Sequence, residues 1–123
     1  MLRLSFKAFD NRAGDDVRAD AFTLHRGKLE AWPDGRLIAR HVDNQWQVDE
    51  RRFVRFECGP RVACVFESDA HAAEQHGPYD SLTCVDGVLW FGSDAIAALK
   101  DDHWASMMTK KAWPRLRLVS TRP

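Results

Sequence analysis

Apolar and polar side chains alternate from the second residue onward: Leu2, Leu4, Phe6 and Ala8 are separated by Arg3, Ser5 and Lys7. A period of two predicts a strand with one buried face. Residues 10–20 (DNRAGDDVRAD) are polar, contain glycine and read as a loop. The pattern resumes through Phe22, Leu24, Leu29, Trp32, Leu37, Ile38 and Val42. It is broken at Pro33-Asp34-Gly35, where proline presets φ and glycine takes the positive φ that closes a turn. Asp43-Asn44 marks a weaker turn ahead of Trp46 and Val48.

Two hairpins are expected further along. Residues 53–58 and 61–66 flank Gly59-Pro60, and the few polar positions in the second run suggest a central strand covered on both faces. Leu82–Val85 and Val88–Phe91 flank Asp86-Gly87, a pair suited to the two positive φ values of a tight hairpin turn. Two helices are expected in the C-terminal half. Ser68 can cap Asp69–His76, with Gly77-Pro78 as a stop. Ser93 can cap a longer helix from Asp94, with Ile96, Leu99, His103 and Met107 on one face. Leu116 and Leu118, alternating with Arg115 and Arg117, describe a last strand. The class this implies is α+β: antiparallel β-hairpins forming a curved sheet or partial barrel, with two helices. No internal repeat, low-complexity tract or linker is apparent, and residues 1–123 read as one globular domain.

Composition narrows the setting. With 45% hydrophobic and 29% charged residues the chain is globular rather than disordered. No window approaches a membrane span, and the charged N-terminus is no signal peptide. Three cysteines (Cys58, Cys64, Cys84) without a C-x-x-C pair read as buried free thiols. A cytoplasmic location is expected. Thirteen arginines against five lysines suggest a GC-rich bacterial genome.

Charge is balanced in total and segregated in place. Residues 67–102 carry eight acids against Lys100, whereas residues 103–123 carry five bases and no acid. The stretch TKKAWPRLRL interleaves basic and aromatic residues, as nucleic-acid contacts do, or it forms a charged edge strand. A sequence pI near 7.0 lacks the basic excess usual in nucleic-acid-binding domains.

Candidate chemistry is sparse. His71 and His76 are five apart, about 140° round a helix, so they do not share a face as zinc-binding pairs do. No nucleophile elbow, phosphate loop or dinucleotide fingerprint occurs. Neither a metal nor a cofactor is expected, and no catalytic residue can be assigned. Of five tryptophans, Trp90 is the first choice for the core, while Trp46 and Trp113 stand beside polar neighbours and are assigned to the surface. The expected ligand or partner surface comprises Trp46, Trp113, Lys110, Lys111, Arg115 and Arg117. The leading expectation is a small, non-enzymatic bacterial binding or interaction protein that self-associates as a homodimer, with a protein or small-molecule partner. One alternative is nucleic-acid binding through the basic-aromatic C-terminal segment. Another is a small enzyme with a His/Asp pocket in a curved sheet.

Overall fold

The computed structural model describes residues 1–121, and they are all β. The strands are β1 (Leu2–Lys7), β2 (Val17–Ala19), β3 (Ala21–His25), β4 (Lys28–Trp32), β5 (Arg36–Val42), β6 (Gln45–Val48), β7 (Arg51–Phe53) and β8 (Arg55–Gly59), followed by β9 (Val62–Glu67), β10 (Glu74–Tyr79), β11 (Leu82–Val85), β12 (Val88–Phe91), β13 (Asp94–Lys100), β14 (His103–Ser106), β15 (Ala112–Trp113) and β16 (Arg115–Ser120). They form two antiparallel sheets of eight. Sheet I runs β15-β14-β13-β12-β11-β8-β1-β2, and sheet II runs β10-β9-β16-β3-β4-β5-β6-β7. The sheets pack on a common core in which Phe6, Phe22, Trp46, Phe56, Phe66, Leu89, Trp104 and Leu118 are buried. Trp46 of sheet II meets Phe56 of sheet I edge-on, with ring centroids 5.2 Å apart.

Neither expected helix forms, so the α+β class is corrected to all-β. Ser68 does cap a turn, its Oγ accepting from the amides of Ala70 and His71 at 3.3 and 3.0 Å. Instead of continuing as a helix, the chain enters β10, which pairs with β9. In the second case Gly92-Ser93 is a hairpin turn, and β13 is laddered on both sides, to β12 and β14. Ile96 is a bulge: Leu89 pairs with Ala97 and Trp90 with Ala95, so Ile96 and Ala97 are buried in succession. That step breaks the period of two and imitates helical spacing.

The two expected hairpins fare differently. Asp86 (φ 52°) and Gly87 (φ 70°) close β11 onto β12 as the sequence suggests. At Gly59-Pro60 the chain instead crosses between sheets: β8 pairs β1 and β11 in sheet I, while β9 pairs β10 and β16 in sheet II. Two apolar strands joined by a short connection look like a hairpin in sequence, although both have other partners.

The chain is also a tandem duplication, contrary to the expectation of no repeat. Exchanging β1–β8 with β9–β16 converts one sheet order into the other read backwards. The ladders coincide in register. Leu4 pairs Cys58 as Cys64 pairs Leu118, and Leu2 pairs Ala19 as Val62 pairs Tyr79. Ile38 is a bulge on β5 as Ile96 is on β13. The His41 amide donates to the Gly27 carbonyl at 2.7 Å, and the Leu99 amide to that of Gly87 at 2.6 Å. Phe6–Phe53 at 5.5 Å corresponds to Phe66–Trp113 at 6.2 Å. The halves are interlocked, because β3–β7 of the first half extends from β16 of the second, and β11–β15 of the second extends from β8 of the first.

Candidate functional site

The duplication supplies an internal control, since equivalent positions share topology and any chemical difference between them is not imposed by the fold. The largest difference lies on the outer faces of the sheets. Across sheet II, cross-strand neighbours run Arg115–His25–Lys28–Arg40–Gln47–Arg52, one residue per strand from β16 to β7. The equivalent row across sheet I is Arg55–Val85–Val88–Ala98–Ala105–Ala112. Both rows begin with an arginine, Arg115 and Arg55; beyond it the first is largely basic and the second aliphatic. At roughly 4.8 Å per strand, the basic row spans about 24 Å.

Alternation explains why these side chains face outward. Leu24, Leu29, Ala39, Trp46 and Phe53 point into the core, so their neighbours His25, Lys28, Arg40, Gln47 and Arg52 point out. Like charges directly opposite destabilise a ladder, yet Lys28 pairs Arg40. Neither has a carboxylate within ion-pair distance among the described residues. Arg115 reaches Asp69 at 3.4 Å and Arg52 reaches Asp43 at 3.7 Å, and both aspartates are exposed. Burial holds the His25 imidazole below its usual range, and the charges of Arg26, Arg115 and Lys28 add to that against the opposing Glu30. The next row on this face is Arg117–Thr23–Glu30–Leu37. Arg117 donates to Glu67 at 3.3 Å, and the buried Thr23 hydroxyl has no hydrogen-bond partner. Beyond lies Trp32, which with Leu37 is among the few exposed large apolar side chains, 45% and 44% accessible.

The expected surface set is therefore only partly assembled. Arg115 and Arg117 lie together on the outer face of sheet II. Lys110 and Lys111 are exposed in the β14–β15 connection and are not members of that row. Trp46 and Trp113 do not belong to any surface: they are 1% and 2% accessible and face inward. Trp90, assigned to the core, is half-buried on the outer face of sheet I. Polar neighbours mislead in each case, because in a strand they occupy the opposite face. The row members His25, Lys28, Arg40 and Arg52 have no signal in sequence, since only the ladder register aligns them.

A second cluster has no counterpart in the first half. The Glu74 carboxylate accepts from Ser106 Oγ and Thr109 Oγ1, both at 2.6 Å, and is joined to His76 Nε2. Burial pushes the Glu74 carboxyl up, but these hydrogen bonds and the imidazole charge outweigh it and leave it below its usual value. Ser106 and His76 both bond to the carboxylate and not to each other, so the nucleophile–base link of a hydrolytic triad is missing. The equivalent of Glu74 is Gly14, where a Cβ would lie 2.8 Å from the Phe53 ring. The cluster ties β10 to β14 and the connection that follows it.

A concavity of about 590 Å³ opens beside Arg3, Arg18, Glu57, Gly59 and Asp80, with no histidine in its lining. Among the described residues no group of three or more His, Cys, Asp or Glu side chains is arranged to hold a metal ion. Cys58, Cys64 and Cys84 are free and buried, and burial pushes each thiol up to about 12. No helix of the described residues is long and apolar enough to cross a membrane. Comparison with protein-family models, with curated proteins and with solved structures finds no match.

Proposed function

We propose that this is a non-enzymatic binding protein that takes a polyanion on the outer face of sheet II. The observation that carries the reading is the Arg115–His25–Lys28–Arg40–Gln47–Arg52 row, set against its aliphatic equivalent in sheet I. Like charges held side by side are a standing cost that a bound anion relieves. A cytoplasmic setting belongs to the same reading, supported by three free thiols. Inorganic polyphosphate is the test ligand. It should bind with an affinity that falls steeply with salt, and Lys28→Glu with Arg40→Glu should abolish binding without unfolding the chain. No binding at low salt, or full binding by the double variant, would refute the proposal.

Self-association is a second reading. Val85, Val88, Ala98, Ala105 and Ala112 with the half-buried Trp90 form an apolar band across part of the outer face of sheet I, and a chain of zero net charge has no overall repulsion between copies. Light scattering after size exclusion should then report a dimer; a monomer at all concentrations would end this reading.

A further inference from the structure

We propose that the polyanion is a single-stranded nucleic acid, with its phosphates along the basic row of sheet II and a base stacked on Trp32; this rests on the polyanion reading above. A row of charges alone would suit any polyanion. What separates the candidates is the chemistry beside the row. Trp32 lies on the same strand and the same face as Lys28, four residues and so about 13 Å further along β4. Leu37, on β5, faces outward beside Glu30 on the same sheet surface. Exposed indole on the same face as a basic track, here beyond Glu30, is a combination that binds single strands, because every base offers a face for stacking and every nucleotide a phosphate.

Polyphosphate has nothing to place on an indole. A duplex hides its base faces by stacking them on each other, so it could use the row but not Trp32. The row's length of about 24 Å suits about four nucleotides, the lower end of site sizes for folds that bind single strands. The first-half origin of the surface matters too. The residue equivalent to Trp32 in the duplication is Gly92, in the turn after β12; the outer face of sheet I carries the half-buried Trp90 instead, beside a row that is mostly aliphatic.

The test uses the full chain and fluorescence anisotropy with labelled oligothymidylate, the duplex of the same length and inorganic polyphosphate as competitor. The single strand should bind at least tenfold more tightly than the duplex at equal salt. Trp32→Ala should weaken single-strand binding about tenfold while leaving polyphosphate binding unchanged, and Trp32→Phe should restore most of the loss. Because Trp32 is exposed, these variants should unfold at the wild-type temperature. Lys28→Ala with Arg40→Ala should lower the slope of log affinity against log salt by about 0.7 for each phosphate that is no longer neutralised. If polyphosphate does not bind, the polyanion reading itself fails. If polyphosphate binds but the duplex matches the single strand, or Trp32→Ala changes nothing, the single-strand assignment alone is overturned.

Discussion

Replacing Lys28 by the residue its equivalent carries, Lys28→Val, should stabilise the protein while weakening its hold on anions. Lys28 is exposed and sits opposite Arg40 on one side and His25 on the other. His25 is kept neutral by burial and its basic neighbours, so the Arg40 contact is the repulsive one. Removing a like-charged cross-strand pair is worth about 0.2–1 kcal/mol. Valine is also favoured over lysine in a strand, on a scale spanning about 1 kcal/mol. Together these give a gain of about 1 kcal/mol, or a rise of about 4 °C in midpoint for a domain of this size. Thermal unfolding followed by circular dichroism at low and high salt reads both parts of the argument. Added salt screens the Lys28–Arg40 repulsion, so wild type should gain more from it than the variant does. A variant that unfolds below wild type, or a salt response equal in the two proteins, would show that the row is not under electrostatic strain. Polyphosphate affinity measured on the same samples should fall, making this a position where binding and stability oppose each other.

Two further outcomes follow from the core and the Glu74 cluster. Trp104→Ala should destabilise by about 3–5 kcal/mol, measured by urea denaturation, because the indole is 2% accessible and its removal leaves a cavity. A loss under ~1 kcal/mol would contradict the inward placement. Glu74 has a folded value below 4.5, so its contribution is present above that pH and is lost as pH falls through the folded value. Glu74→Gln should therefore lower stability at neutral pH and flatten the acid limb of the stability curve below pH 4.5; an unchanged acid limb would refute the linkage.

Much of the strand pattern is legible in the sequence. Leu2–Lys7, the Asp86-Gly87 hairpin, the Asp43-Asn44 turn with both φ values positive, and the strand over Leu116 and Leu118 all follow from alternation and turn chemistry. The departures have common physical causes. A bulge at Ile96 puts two neighbouring residues inside and imitates a helix. Polar residues flanking Trp46 and Trp113 suggest exposure, whereas a strand places neighbours on opposite faces. The duplication is faint in sequence because it survives mostly in register. Phe6/Phe66, Gly27/Gly87, Leu29/Leu89, Ile38/Ile96, Trp46/Trp104 and Arg55/Arg115 are identical, but most other pairs differ. A shorter β12–β13 turn and a longer β14–β15 connection also break and then restore the spacing of the halves. The basic row is out of reach for a simpler reason: its members lie in six separate strands, and sequence distance says nothing about which of them adjoin.

The interlocking of the halves has a consequence during synthesis. Leu24 of β3 pairs with Leu116 of β16, so the inner edge of the first meander has no partner until about ninety more residues have been made. At ~5–20 residues per second, that edge stays open on the ribosome for ~5–18 s. The first half thus emerges as an unfinished sheet with hydrogen-bonding groups exposed along β3, where a second nascent chain could add a strand. Crowded translation of this message should favour pairing between chains, and slower initiation or a chaperone that covers β3 should suppress it. The vulnerable stage of this protein's life comes before β16 is released.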